Sequence, residues 1–398
     1  MAHILALNAG SSSLKFGLYD GGEAPVVDGD LDWAGGDRRQ ARWRVCRGSQ
    51  VVFERPTAVA DAAEAVKLVL RSLQEAMPEV AARVDAIGHR VVHGGLEFQH
   101  SVRIDSRVKT ALERLGPLAP LHNPPALRVI QATEELLSGV PQVAVFDTAF
   151  YASLPPRAYV YPLPYCWHEE WGIRRFGFHG LSHAYCAVRT VALFGGRHSA
   201  RRIVSCHLGG GCSATAVLDG KAIATTMGFS PLEGLMMGTR CGSVDPGVLL
   251  YLQRERGLSV EELDRVLNRE SGLQGVSGRS PDLARIEAGA REGDERCQLA
   301  FEMFADRVRS SVGALAATLG GIDALVFTDR IGEHSAALRA AVCEGLGFMG
   351  LELDAAGNAS AAADCDIARE TSRARVLVLR TREELMVARE VATVVAGG

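Results

Sequence analysis

The 398-residue sequence predicts a duplicated, two-domain α/β protein, on three observations. Residues 4–21, ILALNAGSSSLKFGLYDG, align without a gap with residues 203–220, IVSCHLGGGCSATAVLDG, at an offset of 199, half the chain. Short apolar segments alternate with segments of helical spacing, as layered α/β folds require. A chain of 398 residues also ordinarily divides into two domains, each with its own core.

The elements follow in order. Two short strands flank NAGSSS, and a hairpin region rich in Gly, Asp and Arg covers residues 21–50. Residues 58–76, AVADAAEAVKLVLRSLQEA, repeat apolar side chains every three or four positions and predict a helix. VDAIGHRVVHGG (84–95) and PQVAVFDTAFYASLPP (141–156) each read as a strand running into a loop. Prolines crowd residues 155–164 and, with the repeat offset, put the domain boundary near residue 148. In the second half Ser259 and Glu262 have capping-box spacing at a helix start. Residues 296–320 predict a long amphipathic helix, DALVFT (323–328) a buried strand, and TREELMVAREVATVVA (381–396) a closing helix. Thr381 and Glu384 repeat the capping-box spacing, which gives Glu384 a structural task and leaves Glu383 for chemistry.

Composition narrows the function classes. Apolar content of 47%, charged content of 23% and a net charge of −4 are ordinary for a globular protein and point to neither nucleic acid nor membrane. The nine cysteines are odd in number and scattered, with no C-x-x-C pair, which fits a reducing compartment. No signal peptide or membrane-length apolar run is evident, so the expected location is cytoplasmic.

The glycine-rich loops raise the question of phosphate binding. A P-loop needs Lys-Ser or Lys-Thr and a following helix, whereas these loops lead into LKFGLYD and SATAVLD, which read as strands. Each is therefore a hairpin whose backbone N–H groups can face an anion, and glycine and serine allow close approach. One such loop is an ordinary tight turn, but two at matched positions in a duplicated chain form a pattern for holding a polyphosphate.

NAGSSSLKF, GHRVVHGG, HNPPAL, VFDTAFY, RRFGFHGLSH, MGFSPLEGLMMGTR and EELMVARE, in this order over nearly the whole chain, resemble acetate kinase and its propionate and butyrate kinase relatives, the acetokinase family. The resemblance implies the acetate and sugar kinase/actin-like (ribonuclease H-like) fold with a cleft between domains. It also implies a homodimer, and reversible in-line phosphoryl transfer from ATP to acetate or another short carboxylate, with Mg2+, or Mn2+ as an alternative ion. The domains would be residues 1–147 plus 384–398, closed by the C-terminal helix, and 148–383, for nucleotide binding and dimerisation.

A carboxylate is already an anionic nucleophile, so such a reaction needs positioning and charge cancellation more than a strong base. Arg90 and Arg240 sit among glycines after apolar segments and are the candidate cations. By resemblance Arg90 contacts the substrate, Arg240 stabilises the transition state, and His179 bonds the transferring phosphoryl group, just before a helix that Ser182 could cap. Asp147, ending the VAVFD strand, would orient substrate or metal, and His122 is either a further site residue or part of a rigid Pro-rich turn. The resemblance places Asn8 and Glu383 at the metal, and Val92, Leu121, Phe178 and Pro231 in the acyl slot. It assigns the nucleotide to Ser11, Ser13 and Lys15, to His207, Leu208, Gly209, Gly210 and Gly211, to Asp282, Leu283 and Ala284, and to Arg330, Ile331, Gly332, Glu333 and His334.

The chain departs from the family pattern on the nucleotide side. HLGNG reads HLGGG at Gly210, Asp-Met-Arg reads Asp282-Leu283-Ala284, and FTGGIGEN reads FTDRIGEH, with Asp329, Arg330 and His334 as replacements. These replacements are expected to alter contacts to base and ribose. The alternatives are a propionate kinase, a kinase using a non-ATP donor such as pyrophosphate, and a catalytically weak nucleotide-binding sensor of the actin-like superfamily.

Overall fold

The repeated glycine segment folds as a hairpin in both halves. Strands β1 (Ile4–Ala9) and β2 (Ser13–Tyr19) pair antiparallel. They join β3 (Val27–Asp32), β4 (Ala41–Arg47), β5 (Gln50–Thr57), β6 (Ala86–Val91), β7 (Val102–Arg103) and β8 (Gln142–Phe146) in a sheet of order β5-β4-β3-β2-β1-β6-β8-β7. The second hairpin is β9 (Arg202–Leu208) and β10 (Cys212–Leu218). With β11 (Lys221–Thr225), β12 (Ala324–Thr328), β13 (Cys365–Asp366) and β14 (Arg375–Leu379) it forms a sheet of order β11-β10-β9-β12-β14-β13.

The duplication therefore runs well beyond the hairpins. The order β3-β2-β1-β6-β8-β7 matches β11-β10-β9-β12-β14-β13 strand for strand, with the same parallel and antiparallel neighbours. The pairing registers differ, however: Asn8 lies opposite Lys15, whereas His207 lies opposite Ser213, the counterpart of Leu14 at the 199 offset. The second hairpin is one residue tighter and is closed by Gly209 N–H donating to Gly211 O at 3.1 Å. A gapless alignment does not reveal such a slip, because loop geometry sets register.

This computed structural model describes residues 2–10, 13–33, 40–48, 50–77, 84–194 and 200–397. The chain divides into two units, Met1–Ala152 with Arg382–Gly398, and Ser153–Thr381. The sequence reading divides it at 147/148 and 383/384 instead. The difference is local: a 3-10 turn, Asp147–Ser153, runs straight on from β8, and Arg382 is the N-cap of the closing helix Glu383–Ala396.

In the first unit the helix Ala62–Ala76 is capped by Asp61, whose carboxylate accepts from Glu64 N–H, and buries Val66, Val69 and Leu73. They join a core with Leu5, Phe16 and Trp43, where Phe16 and Trp43 stack at 5.5 Å. The helix Glu383–Ala396 reaches β6 through Gly88, where an added Cβ would lie 2.4 Å from Val387 Cγ1. In the second unit the Ser259–Glu262 capping box opens Val260–Arg269 as its spacing predicts. The long helix Glu295–Leu319 is capped by Asp294, and β12 is buried throughout. Among the described residues no helix is long and apolar enough to cross a membrane.

Candidate active site

In open α/β sheets, ligand-binding side chains gather beyond the carboxyl ends of parallel strands. In the first unit Asn8 stands near the end of β1, Arg90 near the end of β6, and Asp147 directly after β8. Parallel pairing brings the three to one edge of the sheet. The closing helix adds Glu383 and Glu384 in its first turn.

Arg90 is the hub. Its Nε and Nη2 donate to the two Asp147 oxygens at 3.0 and 2.6 Å, and its Nη1 donates to Asn8 Oδ1 at 3.1 Å and Glu383 Oε2 at 2.9 Å. Asn8 Nδ2 in turn donates to Glu383 Oε2 at 3.1 Å and Glu384 Oε1 at 2.9 Å. Burial alone would lower the Arg90 pKa, but the Asp147 and Glu383 carboxylates reverse the effect and hold it above its usual value. Four of the five guanidinium N–H groups are thus engaged, and one Nη2 hydrogen remains for a ligand.

Two sequence expectations about the closing helix fail here. Thr381 and Glu384 form no capping box: the N-cap is Arg382, with no side-chain capping bond, and Glu384 serves Asn8 instead. Thr381 belongs to the second unit, where its hydroxyl donates to Ser182 Oγ at 3.0 Å and its N–H to Glu333 Oε1 at 3.2 Å. Ser182 is not a cap either, because it lies inside the helix Gly180–Phe194. The prolines after His122 open the helix Asn123–Leu136, with His122 as an N-cap that makes no side-chain capping bond, so the segment is not a rigid turn.

The second unit gathers imidazoles around the hairpin Gly209–Gly211. His179, held at φ 57°, stacks on His207 with ring centroids 4.1 Å apart. Its Nδ1 lies 2.9 Å from Ser213 Oγ, which is 2.8 Å from His183 Nε2, and His183 Nδ1 lies 2.9 Å from Ser205 Oγ. Burial, and secondarily the neighbouring His207, drive the His183 pKa well below its usual 6.5, so this ring is neutral near pH 7. If His183 Nε2–H donates to Ser213, the serine hydroxyl donates to His179 Nδ1, and His179 Nε2 is left as the N–H donor.

That nitrogen faces the loop. A Cβ added to Gly211 would lie 3.3 Å from His179 Nε2 and 3.4 Å from Arg240 Nη1, so both groups border the space that this glycine leaves open. Arg240 Nη1 donates to Pro231 O at 3.2 Å and contacts Met237 Sδ at 3.8 Å, and no carboxylate pairs with it among the described residues. Burial lowers its pKa, yet an arginine stays protonated. Among the described residues this half-buried cation has no carboxylate partner, and it stands beside a glycine loop where an anion could be received.

The remaining candidates are dispersed. Ser11 lies outside the described residues; Ser13 opens β2, and Lys15 is exposed on it opposite Asp30. Asp282 caps the helix Leu283–Arg291 by accepting from Ala284 N–H at 3.0 Å, and takes a 2.7 Å bond from Arg330 Nη2. Leu208, Ile331 and Gly332 are buried, Glu333 is half-buried with its pKa raised chiefly by burial, and His334 is exposed. Val92 and Phe178 are buried, whereas Leu121 is exposed. The sequence reading assigned no site role to His183 or Ser213. The only signal for them was the His179–His183 spacing of four across a helix start, which places both rings on one side.

Three comparisons with known proteins agree with this architecture. The Acetokinase family model matches residues 3–389. The acetate kinase of Nostoc punctiforme is 45% identical over 396 residues, covering 97% of each chain. The crystal structure of Porphyromonas gingivalis acetate kinase has a TM-score of 0.88 at 38% identity, covering 99% of this chain and 100% of that one. A propionate kinase from Francisella tularensis gives 0.89 at 34%, with the same coverage. With the family model spanning nearly the whole chain and the solved kinases sharing its fold, the chain belongs to the acetokinase family.

Proposed function

We propose that this chain transfers the γ-phosphoryl group of ATP to an oxygen of acetate or another short-chain carboxylate, giving acyl phosphate and ADP. The carboxylate oxygen attacks phosphorus in line, the bond to the β–γ bridging oxygen breaks, and ADP leaves with that electron pair. Arg240, without a carboxylate partner among the described residues and set with His179 beside Gly211, is the observation that carries the reading. Both groups would donate to the equatorial oxygens as charge spreads over them. Ser213 and His183 would keep the His179 proton on Nε2.

In the first unit, Arg90 would offer its remaining N–H to the acceptor. Asp147, with both oxygens bonded to Arg90, would orient that guanidinium and is not poised as a base. Glu383 and Glu384 both accept from Asn8, and these hard oxygen donors fit a Mg2+ that keeps most of its shell as water and phosphate oxygens. Asn8, Glu383 and Glu384 would hold the ion, and it would neutralise charge on the transferring phosphates.

We also infer a homodimer formed through the second unit and a reducing, cytoplasmic setting. Val248, Leu250 and Tyr251 are exposed on the helix Pro246–Arg256, which buries none of its residues, and such a face favours self-association. All nine cysteines are free, and burial pushes the Cys186 and Cys212 thiols up to about 12, which makes them inert. A sedimenting mass of one chain would remove the dimer. Hydroxylamine trapping of acyl phosphate, run with ATP, GTP and pyrophosphate against acetate, propionate and butyrate, tests the reaction. ATP with a short acid should give product, and no product with any pair would leave the sensor reading standing.

A further inference from the structure

A side chain of the wrong sign for an anion site, Asp329, lies at the second glycine hairpin. It follows β12, which runs parallel to β9 with Thr328 opposite His207, so Asp329 arrives level with the start of the loop. Its backbone is left-handed, φ 62°, a conformation costly for most residues and tolerated best by Gly, Asn and Asp. The turn lays the carboxylate directly on Gly209, where an added Cβ would sit only 1.7 Å from Asp329 Oδ2. The same oxygen is 3.3 Å from His207 Nε2, and the His207 ring is fixed by Ser182 Oγ, 2.9 Å from its Nδ1, and by stacking on His179. Only 27% of the Asp329 side chain is exposed. The carboxylate therefore packs against the loop and is largely shielded from solvent.

An anion seated on this loop meets Arg240 and His179 beside Gly211 and a carboxylate beside Gly209. A metal-free polyphosphate is repelled by Asp329, whereas a divalent cation cancels that repulsion and accepts a carboxylate oxygen as a hard ligand. We propose that Asp329 makes the second hairpin selective for metal-complexed polyphosphate, so that this residue sets the preference for the metal complex of the donor over the free nucleotide. The proposal rests on reading this hairpin as a phosphate site and assigns the sequence departure at residue 329 to the phosphates instead of the base and ribose.

Calorimetric titration of the full chain with ADP, in excess Mg2+ and in EDTA, tests it. Asp329→Asn removes the charge and keeps the left-handed turn accessible, and Asp329→Gly also removes the volume and relieves the backbone, so both variants should fold. In both, metal-free ADP should bind at least about tenfold more tightly, roughly 1.4 kcal/mol. The affinity for MgADP should stay the same or weaken, so the ratio of the two constants collapses. Gly210→Val serves as the control, because a Cβ there meets nothing within 4 Å and the backbone is not left-handed, so the variant obstructs only a ligand. Loss of ADP binding in Gly210→Val, with metal-free affinity unchanged in both Asp329 variants, would overturn the role of Asp329 and leave the phosphate loop standing. Full MgADP binding by Gly210→Val would overturn the phosphate-loop reading itself, and Asp329 selectivity with it.

Discussion

Arg90 and Arg240 have the same chemistry and opposite surroundings. Arg90 gives four of its five N–H groups to Asp147, Glu383 and Asn8, whereas Arg240, among the described residues, meets a carbonyl oxygen and a thioether sulfur and no carboxylate. The first organises a carboxylate cluster; the second is the cation we propose for the phosphoryl group. Arg240→Ala or His179→Ala should lower kcat by about 10²-fold or more, the scale of a lost oxyanion donor, with smaller changes in KM. Steady-state kinetics showing near-normal kcat in both variants would remove these roles. Glu384 changes its assignment for an equally local reason, since it accepts from Asn8 and caps nothing. Glu384→Ala should therefore raise the Mg2+ concentration needed for half-maximal activity by roughly tenfold, as lost metal-shell groups do, with a melting temperature close to wild type. A drop in melting temperature at unchanged metal titration would restore the cap.

At the scale of elements, the closing helix holds Glu383 and Glu384 in place through a packing contact. Gly88 in β6 lets Val387 and Val391 approach so closely that an added Cβ would meet their methyl groups at 2.4 and 2.6 Å. Gly88→Ala should cost about 1–3 kcal/mol by overpacking. It should also lower affinity for Mg2+, because a displaced helix takes Glu383 and Glu384 away from Asn8. Thermal melts and metal titration read both effects, and a variant with wild-type melting would show that the helix is not held there. The repeat acts at the same scale: two hairpins of like sequence close in different registers, which sets Lys15 opposite Asn8 but Ser213 opposite His207.

For the molecule as a whole, acid stability is tied to a buried ring beside the Arg90 cluster. His89 is fully buried in β6, where burial lowers its pKa from 6.5 to about 4, partly opposed by its bond to Gln142 Oε1 at 2.7 Å. Between those values the unfolded chain binds a proton that the folded chain refuses, so stability rises with pH. The penalty is absent above about 6.5 and grows as pH falls towards 4, to on the order of 3 kcal/mol. His89→Gln, which retains a donor for Gln142, should flatten the curve of unfolding free energy across that window relative to wild type. Parallel curves for the two proteins from pH 4 to about 7 would show that His89 does not titrate in this way.

The sequence by itself determined the duplication, the alternation of strands and helices, and the strand-end placement of Asn8, Arg90 and Asp147. Periodicity, glycine spacing and the abrupt end of an apolar run are local properties, legible without coordinates. The Ser259–Glu262 cap was legible for the same reason, since both partners lie within one turn. The Thr381–Glu384 spacing is identical, yet there the decision went to distant partners, Ser182 and Glu333 for Thr381 and Asn8 for Glu384. Only the tertiary structure could reveal which arginine is already paired, that Ser213 links His179 to His183, and that Asp329 lies on Gly209. Each of these depends on segments far apart in the chain being brought together by the fold. A side chain's charge is written in the sequence, but whether that charge is already satisfied is decided by what the fold brings within hydrogen-bonding distance.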